Sequence, residues 1–117
     1  MRKTYIVKEA KDFENIIKKG KCRKNQSFVI HFKKNNLPYD KYGISVSKKL
    51  GNAVFRNKYK RKLRSIIDNY RKIYNNGEDY IIILRRGGVE KSFQDLERDF
   101  LNLMKRKCRK ESKDEKK

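Results

Sequence analysis

Histidine and proline each occur once in this chain, cysteine twice and tryptophan not at all, and 14 acids face 34 lysines and arginines. Each scarcity closes a class of function. A single histidine, His31, with no second histidine, cysteine or well-spaced acid beside it, leaves little to hold a metal or relay a proton. No tight carboxylate pair stands ready to activate water, so a stand-alone nuclease fits poorly. No apolar run approaches the roughly 20 residues needed to cross a bilayer. Met1 to Ala10 lacks the apolar core of an export signal. Cys22 and Cys108 lie far apart and match no metal-ligand spacing, so free thiols in a reducing cytoplasm are expected. With one proline and six glycines in 117 residues, no linker or repeat divides the chain. One domain is expected.

What is abundant is positive charge. The formal net charge is +20 and charged residues make up 41% of the chain. A compact domain this basic repels itself and calls for a polyanionic partner. Lysine together with asparagine and isoleucine is what a low-G+C genome supplies to any protein, so the total alone is a weak signal. The distribution is a stronger one. Between Glu14 and Asp68 the one acid is Asp40, while sixteen lysines and arginines fall in the same stretch. Segregation of this kind marks a basic binding face.

Hydrophobic spacing orders the elements. Ala10 to Lys19 reads as a short helix, with Asp12 as a possible cap, Phe13, Ile16 and Ile17 at helical steps and Gly20 as its stop. Ser27 to Phe32 reads as a strand with Phe28, Ile30 and Phe32 on one face, and Lys21 to Lys24 as a candidate strand before it. Asn35 to Asp40 is turn chemistry, and Tyr42 to Val46 a further strand. The longest element runs from near Asn52 to about Tyr74, with Tyr59, Leu63, Ile66, Ile67, Tyr70 and Tyr74 as its apolar stripe and Asn75-Asn76-Gly77 as its end. Tyr80 to Leu84 is apolar enough for a strand buried on both faces. After a loop at Arg85 to Gly88, Ser92 caps a last helix whose inner side is Phe93, Leu96, Phe100, Leu103 and Met104. The order is αβββαβα, a single α+β domain over residues 1–104 with helices packed on a small sheet. A basic tail, 105–117, is expected to be disordered.

The stretch from Ile44 to Arg64, ISVSKKLGNAVFRNKYKRKLR, carries the most information. On a helix, Arg56, Lys60 and Arg64 stack one turn apart with Asn57 and Arg61 beside them, a cationic ridge about 12 Å long. Such a ridge spans successive phosphates, and each arginine can grip one bidentately. A solvated face of an ordinary amphipathic helix would look similar. A membrane-surface helix fits less well, for want of bulky anchors.

The ordered string Ser-Lys-Lys-Leu-Gly-Asn-Ala-Val, then Arg-Asn-Lys, then Lys-Arg-x-x-Arg, resembles the signature of the bacterial ribonuclease P protein family. The resemblance extends to Asp12-Phe13 before Gly20, to the strand holding Phe28, and to Asp79-Tyr80-Ile81-Ile82-Ile83. It implies a four-stranded αβββαβα sandwich with a left-handed β-α-β crossover, opposite to the general rule. It also implies an accessory subunit of an endoribonuclease that removes the 5′ leader from precursor tRNA, with catalysis by RNA and Mg2+ held mainly by that RNA. By matching positions, Lys48, Lys49, Arg56, Asn57, Lys58, Lys60, Arg61 and Arg64 would face the catalytic RNA. Phe13, Ile17, Phe28 and His31 would line a cleft for the single-stranded leader, where unpaired bases stack on aromatic faces. Two features depart from the family's habit: Ile17 and His31 stand where an aromatic is common, and Lys58 replaces an arginine. Burial statistics favour core over platform for Phe13 and Phe28. No membrane partner is expected, and the free protein is expected to be a monomer. A ribosomal or ribosome-assembly protein is the alternative reading.

Overall fold

The computed structural model describes residues 6–7, 10–72 and 77–113, with side chains as far as Lys105. The elements are α1 (Ala10–Lys19), β1 (Lys21–Lys24), β2 (Phe28–Lys34), β3 (Lys41–Ser45), α2 (Ala53–Arg71), β4 (Glu78–Leu84) and α3 (Phe93–Lys113). Short 3-10 turns at Lys48–Leu50 and Arg86–Gly88 lead into α2 and α3. The expected order is therefore the observed one.

Strand β4 occupies an inner position, with strand order β1-β2-β4-β3. It runs antiparallel to β2, pairing Ile30 with Ile82 and Phe32 with Tyr80. It runs parallel to β3, pairing Tyr42 with Tyr80. Because β3 and β4 are parallel neighbours, the chain between them must travel the length of the sheet, and α2 is that crossover. Tyr80, Ile81 and Ile82 are all fully buried, as the unbroken apolar run requires.

Alternation divides the sheet between two layers. Phe28, Ile30 and Phe32 from β2, Tyr42 from β3, and Tyr80, Ile82 and Leu84 from β4 pack under α2 and α3. From α2 come Tyr59, Leu63, Ile66, Ile67 and Tyr70, and from α3 come Leu96, Phe100, Leu103 and Met104. Phe100 sits at the centre, edge-on to Phe28 at 6.2 Å and to Tyr70 at 5.4 Å. The other face of the sheet carries a smaller cluster, Val7, Ile16 and Ile81 with Phe13 and Ile83, under α1.

Local chemistry sets the ends. Asn52 caps α2 by accepting from the Phe55 N–H at 2.9 Å. Ser92 caps α3 through the Asp95 N–H at 3.1 Å. Gly20 ends α1 where a Cβ would collide with the carbonyls of Ile16 and Phe32. Asp12 does not cap α1: the helix starts at Ala10, so this carboxylate lies in the first turn, where it favours the positive end of the helix. At the far end, α3 does not stop at Met104. It continues to Lys113, beyond the expected domain limit, because lysine, arginine and glutamate are good helix formers and extending a formed helix costs little. Tyr74, Asn75 and Asn76, the side chain of Cys108, and residues 114–117 lie outside the described residues.

A feature not anticipated is at the start of the chain. Ile6 bridges to Tyr42 in parallel, and the Val7 N–H donates to the Tyr42 carbonyl at 2.9 Å. This segment covers the outer edge of β3, and Val7 is buried.

A polar cluster fastens α3 to the β1–β2 turn. Asn25 accepts from the N–H groups of Ser27 and Phe28 and donates to the Asp99 carbonyl at 3.1 Å. The Asp99 carboxylate accepts from the Ser27 hydroxyl and from Lys91 Nζ at 2.6 Å. Burial alone would raise the Asp99 carboxyl, but the hydrogen bonds from Lys91 and Ser27 and the Lys91 charge outweigh it and hold the group below the usual value. A carboxyl lowered on folding contributes stability that is present above the ordinary carboxylate pKa and lost as pH falls through the folded one. Asp99→Ala should cost about 1–2 kcal/mol at pH 7. Denaturant unfolding followed from pH 7 to pH 2 should show the two proteins converging at the acid end. A constant gap across that range would contradict the role given to this carboxylate.

Candidate nucleic-acid interface

Burying Tyr59, Leu63, Ile66, Ile67 and Tyr70 fixes the rotation of α2 and so decides where its cations point. At 100° per residue, Arg56 falls within the sector of the buried stripe, between Leu63 and Ile67, and Lys60, Arg64, Asn57 and Arg61 fan outward from it. Arg56 and Lys60 are half-buried, whereas Asn57, Arg61 and Arg64 are exposed. Arg56 Nε is buried with no hydrogen-bond partner among the described residues. Lys58 lies at the far margin of this group, about 60° from Arg61. It projects about 160° from both Arg56 and Lys60, toward the flank where Lys62 lies over the Tyr59 ring at 4.7 Å. The helical period thus separates residues that adjoin in sequence.

Lys48 and Lys49 are exposed on the turn that precedes α2. The Ser47 hydroxyl accepts from the Lys49 N–H at 3.1 Å and holds that turn. Both lysines therefore stand at the N-terminal end of the helix, where the helix dipole adds to their attraction for anions. Val54 beside them is 77% exposed.

A cleft of ≈ 130 Å³ connects α2 to α1. Its lining includes Phe13 from α1, Gly43 and Ile44 from β3, Lys60 and Arg64 from α2, and Val7 from the N-terminal segment. Phe13 reaches this position because residue 43 has no side chain: a Cβ there would lie 2.6 Å from Phe13 Cζ and 2.9 Å from Ile81 Cδ1. Aromatic surface and two cations thus share one groove, the pairing that unpaired nucleotides demand. Ile17, one turn along α1, is 41% exposed. His31 lies on the same side of the sheet, half-buried and cross-strand from Cys22, which is an exposed free thiol. Its Nδ1 is buried without a partner among the described residues, and burial lowers its pKa, so the ring is neutral near pH 7.

Phe28 has to be withdrawn from the cleft. It is fully buried under α3, on the face of the sheet opposite α1. The reason is strand parity: Phe28 shares its face with Ile30 and Phe32, so Val29 and His31 are the β2 residues that face α1. This is legible in the sequence, where Phe28, Ile30 and Phe32 already form one apolar face. Gly43 and the Ile6–Val7 wall are additions that sequence reasoning did not supply. The signal for Gly43 is a glycine inside a strand pattern, which marks a close approach; nothing in the sequence points to Ile6 and Val7.

A cationic helix backed by a sheet, with an aromatic groove beside it, defines an RNA-binding α+β domain. Known proteins agree. The family model described as Ribonuclease P matches residues 1–108. The ribonuclease P protein component of Streptococcus agalactiae is 41% identical over 105 residues, covering 90% of this chain and 95% of its own. The RNase P protein of Staphylococcus aureus superposes with a TM-score of 0.80 at 35% identity, covering 86% of this chain and 93% of that one. The RNase P protein of Thermotoga maritima gives 0.79 at 35% identity, with 86% and 94% covered. The chain belongs to the ribonuclease P protein family. It is accordingly an accessory subunit of an endoribonuclease, partnered with the ribonuclease P RNA and precursor tRNA, and the ribosomal alternative is not favoured.

Phe28→Ala should behave as a core substitution, costing about 3–5 kcal/mol of unfolding free energy. Ile17→Ala, at a half-open position, should cost little. Denaturant midpoints for the two variants check this. A Phe28→Ala protein as stable as the parent would return that ring to the surface.

Proposed function

We propose that α2 docks on the catalytic RNA while the groove between α1 and the sheet takes the single-stranded 5′ leader of precursor tRNA. The observation that carries this reading is the shared cleft. Lys60 and Arg64 belong to the cationic helix and Phe13 to the first helix, yet all three line one groove. An RNA strand in that groove has phosphates within reach of the cations and a base or ribose against the ring. Arg56, Asn57, Arg61 and Arg64 form the docking face, extended by Lys48 and Lys49, with Lys58 outside its centre. Phe13, Ile17 and His31 line the leader path, and Val29 replaces Phe28 there.

Cleavage belongs to the RNA in this proposal. Mg2+ takes oxygen ligands, and the α2 face offers guanidinium and ammonium groups that repel a divalent cation. The metal is then held by RNA phosphates, and the protein neutralises phosphates that the metal does not. Bringing two polyanions together is costly without such counter-charge, and releasing their condensed counterions favours assembly.

The free protein is a monomer in this reading. The β1 edge carries Lys21, Arg23 and Lys24, which oppose pairing with a second edge. The β3 edge is covered by Ile6 and Val7. No helix among the described residues is long and apolar enough to cross a membrane. A reducing cytoplasm suits the exposed thiol of Cys22.

Arg56→Ala combined with Arg61→Ala should weaken binding to the ribonuclease P RNA on the order of tenfold or more at about 0.1 M salt. The slope of log affinity against log salt should become shallower by about 0.7–0.9 for each phosphate that is no longer neutralised. Arg61→Ala alone, at an exposed position, controls for any effect of Arg56 on the fold. Unchanged affinity and slope in both variants would remove α2 as the docking face.

A further inference from the structure

Four lysines with no part in the α2 face gather around a second concavity. At the end of α1 the chain turns through Gly20 into β1, and the register brings Lys21 opposite Phe32 and Lys34 opposite Glu78. The ends of three strands and a helix therefore meet at one place. They enclose a pocket of ≈ 220 Å³ lined by Lys19, Gly20, Lys21, Phe32, Lys33, Lys34 and Glu78. Gly20 lies so close to the Phe32 carbonyl that no side chain fits there, which holds Lys19 and Lys21 to the rim.

The pocket lining holds four lysines and one acid, although Lys33 stands cross-strand from Asp79 just outside it. Its one acid, Glu78, is buried and accepts from the Tyr80 hydroxyl at 2.9 Å, turned into the fold. The ion pairs Lys91–Asp99 and Arg98–Asp95 lie elsewhere in the fold and involve none of the four lysines. Like charges converging on a concavity repel one another until an anion enters. Lysine ammonium groups serve phosphate as point charges, and the edge of Phe32 in the wall suits the carbon face of a ribose. Size narrows the ligand further. Pockets for whole small molecules run from about 300 to 1,000 Å³, so this one is small for a whole nucleotide and fits a phosphate with part of its ribose.

We propose that this lysine pocket binds a phosphodiester of RNA at a site separate from α2. The inference rests on the chain being an RNA-binding subunit but not on which face of α2 docks. Two RNAs can supply the phosphate. Phe13 lies in the first half of α1 and the pocket at its C-terminal end, six residues or about 9 Å further along the helix. A strand that leaves Phe13 and passes Ile17 runs toward the turn at Gly20 and the pocket rim at Lys21. A phosphate of the folded catalytic RNA is the other source.

The test is the triple variant Lys19→Ala, Lys21→Ala, Lys34→Ala. All three side chains are exposed, so the core is untouched and the unfolding midpoint should match the parent. Affinity is measured across a salt series in two arms: the ribonuclease P RNA alone, and the assembled holoenzyme with precursor tRNAs of increasing leader length. The expected result is a weakening on the order of tenfold in one arm, with a salt slope shallower by about 0.7–0.9 per phosphate released. A weakening confined to longer leaders assigns the pocket to the strand along α1, and a weakening with the RNA alone assigns it to the catalytic RNA. Unchanged affinity and slope in both arms overturns the proposal. Arg56→Ala with Arg61→Ala is run in parallel. If that pair is silent while the lysine variant weakens binding, the α2 docking face fails and the pocket stands; the reverse pattern removes the pocket alone.

Discussion

The burial of β4 on both faces is the constraint from which the architecture follows. A strand with Tyr80, Ile81 and Ile82 fully enclosed cannot lie at an edge or border solvent, so the sheet must carry a layer on each side. The parallel pairing of β3 with β4 then obliges α2 to span the sheet. Its apolar stripe is committed to the core, and the cations between those positions are left to face outward. The opposite layer is thin, a single ten-residue helix with Val7 beside it, and it leaves a groove. The cationic face of α2 and the groove beside α1, the two surfaces proposed to meet RNA, are thus products of one sheet filled unequally on its two sides.

Charge and core pull against each other in a chain this small. A formal charge of +20 on 117 residues favours expansion. Against that, the larger layer concentrates rings, with Phe28, Tyr70 and Phe100 edge-on and Tyr42 stacked on Tyr80 at 5.1 Å. Aromatic side chains bury much area per residue, which is what a short chain needs. One of the cations also joins the aromatic layer, Lys62 setting its ammonium over the Tyr59 ring. Binding RNA relieves the remaining repulsion, so folding and partner binding are thermodynamically linked.

The order of elements is legible in the sequence because hydrophobic period is a local property. Residues recurring at three and four steps in α2, and at two steps in β2, announce what they become without reference to the rest of the chain. The docking string is legible as well, since its residues fall within a few turns of one helix. What depends on rotation or on pairing is less so. Lys58 adjoins Asn57 in sequence yet points about 100° away from it around α2. Family resemblance puts Phe28 in the groove, whereas the alternation that makes β2 a strand puts it in the core. The edge pairing of Ile6 with Tyr42 joins residues far apart in sequence and leaves no periodic trace. The charge after Met104 suggests disorder, but lysine and glutamate also sustain a helix that packing has already started, and α3 is longer for it.

The most direct test is cleavage of a precursor tRNA at low magnesium by the ribonuclease P RNA, with this protein added or withheld, and with the protein alone as control. If the cations of α2 supply the counter-charge that scarce magnesium cannot, cleavage appears only when RNA and protein are both present. Equal cleavage with and without the protein would contradict that role. Cleavage by the protein alone would contradict the assignment of the chemistry to RNA.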